Sequence, residues 1–79
     1  MIVKYDGVEY EMIRASDIDQ DGMWLEFYDN SGSESVHILS AFWSDKNGSF
    51  IFHSYRQELP FEVVETFVKN AREALPPKE

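Results

Sequence analysis

The chain has 79 residues, room for one domain and for no repeat array. It holds no cysteine, which excludes a disulfide scaffold, a thiolate zinc site and a cysteine nucleophile, and its 43% apolar and 15% aromatic content suits a packed core. Fifteen acids against seven bases give a net charge of −8, which argues against direct binding to nucleic-acid phosphates. No apolar run approaches the ~20 residues of a membrane span. Residues Met1–Asp6 show no basic segment leading into an apolar one, so the expectation is a cytoplasmic chain that does not meet a membrane.

The first element is a hairpin. Val3, Tyr5, Val8, Tyr10 and Met12 alternate around Asp6-Gly7, a pair that signals a two-residue turn because glycine tolerates positive φ. Such a turn pairs Tyr5 with Val8 and Lys4 with Glu9, leaving Lys4, Glu9 and Glu11 on the face away from the apolar set. Ser16 to Gly22 reads as a polar connection, and Met23 to Tyr28 as a third strand with Trp24, Glu26 and Tyr28 on one side. After a loop over residues 29–34, Val36 to Ser44 and Ser49 to Tyr55 are two strands rich in β-branched and aromatic residues. Asn47-Gly48 between them signals a second two-residue turn, which sets Phe42 opposite His53 and sends His37 to the other face.

The period then changes to that of a helix. Pro60 suits the first helical position, and Val63, Val64, Phe67, Val68, Ala71, Ala74 and Leu75 fall within an arc of roughly 160°. Glu65 and Lys69 stand at i,i+4 in the favourable order. Pro76-Pro77 ends the helix and leaves residues 76–79 as a frayed tail beyond a single domain over 1–75. The fold class is α+β: a five-stranded antiparallel meander with one amphipathic helix on one face. Both faces of the last two strands are apolar, and one helix covers only one face. The excess is relieved if the sheet curls into a half-barrel, if a loop folds over it, or if a partner chain, such as a second copy, covers it.

Three groups of residues are candidate sites. Residues 1–40 carry nine acids and two bases, or −7, against six acids and five bases, or −1, over 41–79. Glu9, Glu11 and Glu26, together with the aromatic Trp24, Tyr28 and Trp43, form the candidate surface for a basic protein partner. Asp17-Ile18-Asp19-Gln20-Asp21-Gly22 matches the first half of a calcium loop, in which Asp17, Asp19 and Asp21 are the ligands. Tyr28 stands where such a loop requires a bidentate glutamate, and a polar turn explains the same residues. His37 and His53 lie near Ser40, Ser44 and Ser54, with no nucleophile elbow, zinc pair or phosphate loop around them. No motif names a family. The expected function is a non-enzymatic, cofactor-free interaction protein of inhibitor, immunity or accessory type. The alternative is a small β-domain that binds Ca²⁺ or a small ligand through residues 17–22.

Overall fold

A computed structural model describes residues 1–75; the expectation for the tail at 76–79 lies outside the described residues. The strands are β1 (Ile2–Tyr5), β2 (Val8–Asp17), β3 (Gly22–Asp29), β4 (Val36–Ser44) and β5 (Ser49–Ser54), followed by helix α1 (Phe61–Ala74). The strands form one antiparallel sheet in the order β1-β2-β3-β4-β5, open at both edges, so the meander forms without closing into a barrel.

Short-range turn chemistry sets the first register. Asp6 and Gly7 both take positive φ, 49° and 77°, as a two-residue hairpin turn of this hand requires. Tyr5 then pairs with Val8 and Lys4 with Glu9. The second hairpin is tighter than the composition implies. Residues 16 and 17 extend β2 rather than joining the connection, because Ser16 and Asp17 pair with Met23 and Gly22. The turn is reduced to residues 18–21. A side chain at Gly22 would run into the Phe42 ring and the Trp43 carbonyl, so only glycine lets β3 start so close to β4.

The β4–β5 turn departs from the two-residue expectation. Ser44 pairs with Ser49, which leaves a four-residue loop over 45–48. Ser44 explains the choice. Its carbonyl accepts from Gly48 N at 2.7 Å and its Oγ from Asn47 N at 3.1 Å, while Gly48 supplies the positive φ of 64°. The register moves by two residues, so each side chain keeps its face but changes its partner. Ser40, not Phe42, lies opposite His53.

A bulge in β4 makes a second correction. Phe27 pairs with Leu39 but Tyr28 pairs with His37, so Ile38 is an extra residue in β4. Ile38 and Leu39 are both 1% exposed and both enter the core, and His37 is turned to the face that carries His53. Strict alternation had separated the two histidines.

α1 crosses the face made by Tyr10, Met12, Leu25, Phe27, Leu39 and Ala41, and inserts Val63, Phe67 and Ala71. Pro60 precedes the helix as its cap rather than occupying its first turn, and no side chain caps that end. Its carbonyl instead accepts from the N–H groups of Val63 and Val64. The Phe67 ring stacks on Phe27 at 5.4 Å and meets Phe52 at 6.3 Å. Val64 is only half-buried, and Val63 takes the core place beside Phe67. The charge pairs expected at Lys4–Glu9 and Glu65–Lys69 do not close. Among the described residues the one ion pair is Arg56 with Asp29, at 2.6 Å. No helix among the described residues is long and apolar enough to cross a membrane.

Candidate functional site: the sheet face opposite the helix

Strand alternation sends Lys4, Glu9, Glu11 and Ile13 to the face away from α1, beside Trp24, Glu26 and Tyr28 of β3. Corrected registers add Ser40, Phe42 and His37 from β4, and Ile51 and His53 from β5. The result is one surface with an acidic side on β2 and β3 and an aromatic side on β3–β5. Glu9, Glu11, Trp24, Glu26 and Tyr28 share this face: Glu11 pairs with Tyr28 beside Glu26, and Trp24, opposite Ala15, stands six residues along β2 from Glu9. Trp43 does not share it. It points to the helix face, packs edge-on against Phe50 at 5.0 Å and donates its indole N–H to Asp45 at 3.0 Å.

The polar groups on this surface hold one another. Tyr28 OH donates to Glu26 Oε1 and Asn30 Nδ2 donates to Glu11 Oε1, each at 3.3 Å. Burial, aided by the Glu26 carboxylate, pushes the Tyr28 hydroxyl above its usual pKa of 10.0, so it stays a donor at neutral pH. His37 lies between Tyr28 and Tyr55, with both ring centroids at 4.7 Å, and its buried Nε2 has no hydrogen-bond partner among the described residues. Trp24 is in contact with Phe42 at 4.7 Å and His53 at 5.8 Å. Tyr55, His37 and His53 thus belong to the surface. The signal for His37 in the sequence was the adjacent Ile38-Leu39, two apolar residues in succession where one face admits one.

The two-residue shift aligns Glu26, Ser40 and His53 in one cross-strand row, the residue types of a hydrolytic triad. The geometry does not serve that chemistry. Ser40 is fully buried and its hydroxyl pairs with Tyr55 OH at 3.3 Å, and among the described residues no hydrogen bond joins it to His53.

The 17–22 loop is held by its own bonds. Asp17 accepts from Gln20 N at 3.1 Å and from the Trp24 indole at 3.0 Å. The indole bond is the main cause that lowers the Asp17 carboxyl below 3.8. Among the described residues no three carboxylate or imidazole groups converge as a cation site, so Asp17, Asp19 and Asp21 are not brought together.

On the helix side, a groove of about 210 Å³ runs between α1 and β5, lined by Ala41, Phe50, Phe52, Phe67, Val68 and Arg72. No known protein family, characterised protein or solved structure matches this chain, so the functional argument rests on the geometry.

Proposed function

We propose that the chain is a non-catalytic interaction module that binds a basic protein partner through the sheet face opposite α1, in the role of an inhibitor, immunity-type or accessory protein. One observation supports this above the rest. Glu9, Glu11 and Glu26 share a face with Trp24 and Tyr28, and among the described residues Lys4 is the only lysine or arginine that a strand places there. Carboxylates beside aromatic rings suit lysine and arginine, which gain a charge-assisted hydrogen bond and a ring face together. Two other cations of the sheet region do not offset these acids: Arg56 is committed to Asp29, and Arg14 lies on the helix side beside Met12 and Asn70. A cytoplasmic location goes with this reading, since a chain without cysteine draws no stability from an oxidising compartment.

The test is an NMR titration of the full chain with an arginine-rich peptide at low and at physiological salt. Shifts are expected at Glu9, Glu11, Trp24, Glu26 and Tyr28, with affinity falling as salt screens the charges. Glu9→Lys with Glu11→Lys should abolish the shifts, and Glu65→Lys with Glu73→Lys on α1 should keep them. Shifts that ignore the strand reversal, or that centre on the helix, would defeat the proposal.

A further inference from the structure

We infer that β5 is a dimerisation edge, and that its occupant is β5 of a second copy of this chain, paired antiparallel across a two-fold axis normal to the sheet. Among the described residues β5 is bonded to β4 and to no other strand. Its sequence, Ser-Phe-Ile-Phe-His-Ser, has none of the devices that stop edge pairing, namely lysine, glutamate, proline or a bulge. The other edge is blunted: β1 is four residues long and carries Lys4.

The side chains of β5 are also unfinished. Phe50, Ile51 and Phe52 are 38%, 47% and 52% exposed, and Val68 and Tyr55 beside them are also exposed. With ~150–250 Å² for a whole aromatic side chain, these residues expose on the order of 400 Å² of largely apolar surface per chain. A stable interface needs ~800 Å² per partner; these side chains supply about half of it, and the pairing backbone adds to that.

Backbone direction fixes the pairing. Tyr55 N bonds inward to Ile38 O, so by alternation the N–H and C=O groups of Phe50, Phe52 and Ser54 point outward. A two-fold through Ile51 sets Phe50 opposite Phe52 of the second copy, twice, and Ile51 opposite its own copy. Every exposed apolar residue of the strand then meets an apolar residue.

Charge permits a second copy despite the net −8 of each chain. Residues 49–57 contain no acid. The carboxylates of β2 lie three strands away, ~14 Å, and Glu26 of β3 two strands away, ~10 Å, both beyond a Debye length of ~8 Å; Asp45, in the turn before β5, accepts a hydrogen bond from the Trp43 indole. The pairing would give one continuous sheet with both helices on one side and both acidic–aromatic faces on the other.

The experiment is the solution mass of the full chain by light scattering, with amide exchange and cross-linking. A mass twice the 9.2 kDa of one chain is expected at 100 µM, with slow exchange at Phe50 and Phe52. Ile51→Lys should give a folded monomer with the circular dichroism of the parent and fast exchange at those two amides. Because the chain has no cysteine, Ile51→Cys should oxidise to a disulfide dimer, its Cα atoms ~4.5 Å apart in a non-hydrogen-bonded pair. Ile13→Cys, equally exposed on β2, should not. A monomeric parent, a dimer that survives Ile51→Lys, or equal cross-linking at both positions would overturn the inference. None of these outcomes depends on whether a basic partner binds the acidic face.

Discussion

Phe67→Ala tests whether one aromatic ring holds helix to sheet. Phe67 is fully buried, stacked on Phe27 and tilted against Phe52. Truncating such a ring costs ~3–5 kcal/mol, the spread reflecting how far the site can collapse. Here collapse is easy on one side. The groove of about 210 Å³ beside Phe67 is bordered by Phe52, which is 52% exposed and free to swing inward. The lower end, ~3 kcal/mol, is therefore expected. For a domain of this size each kcal/mol lowers the melting temperature by ~4–8 °C, so the loss should be ~12–24 °C. Against a total stability of ~4–12 kcal/mol, the variant would still fold at low temperature. Thermal unfolding by circular dichroism reads the effect, with Phe61→Ala as the control. Phe61 sits one helical face away at 71% exposure and should change stability by under ~0.5 kcal/mol. A loss below ~4 °C for Phe67→Ala, or equal losses for both variants, would refute the packing of α1 described above.

Three further outcomes are expected. Gly7→Val should destabilise by ~1–3 kcal/mol through its backbone alone, since φ is 77° and a Cβ there meets nothing within 4 Å; Gly7→Asn should recover much of the loss, and equal melting temperatures for the two would contradict it. Asp29 is buried, and the hydrogen bond from Ser31, aided by Arg56, holds its carboxyl below 3.8 against the opposing effect of burial. A carboxyl depressed on folding stabilises above its unfolded pKa and loses that contribution as pH falls through its folded one. Arg56→Ala should thus cost ~1–2 kcal/mol at pH 7, less than a fully buried pair because Arg56 is 36% exposed, and the gap from the parent should narrow below pH 4; a gap constant from pH 7 to pH 3 would show that the pair does not act through charge. Millimolar Ca²⁺ should shift the amides of Asp17 to Gly22 no more than Mg²⁺ does, because Asp17 is already engaged by Gln20 and Trp24; saturable Ca²⁺-selective shifts lost in Asp19→Asn would reverse that view.

The legible parts of the fold are those where local chemistry admits one answer. Asp6-Gly7 leaves no second turn geometry, so the β1–β2 register follows residue by residue. The helix follows from its apolar period, although that period does not distinguish Val63 from Val64 as the deeper residue. Asn47-Gly48 is less decisive, because Ser44 offers both a carbonyl and a hydroxyl to the loop and so stabilises the longer turn. The bulge at Ile38 was hidden for a different reason. It satisfies a tertiary demand, two apolar side chains beneath α1 rather than one, and no pairwise rule along β4 expresses that demand. On the candidate face, the acids and the β3 aromatics were placed correctly by alternation; His37 changed sides at the bulge, and Trp43 stayed on the face of Leu39 and Phe50, away from the other candidate residues.

The same asymmetry of charge underlies both surfaces. A chain of −8 that spread its acids evenly would repel a second copy everywhere and present no distinct face to a cation. This chain concentrates its acids in the first half, and the meander keeps sequence order in space, so a gradient along the chain becomes a gradient across the sheet. β2, β3 and the turns beside them collect the carboxylates towards one side, and β5 is left neutral and apolar at the opposite edge. The helix sharpens the difference, since it covers the core of β2–β4 and leaves Phe50 and Phe52 of β5 open. Joining two copies at β5 would carry the acidic edges to the far ends of the assembly, where each stays accessible. The aromatic sides, with His53 and Tyr55, would meet near the axis. Self-association and recognition of a cation would then draw on opposite edges of one sheet and not compete for the same residues.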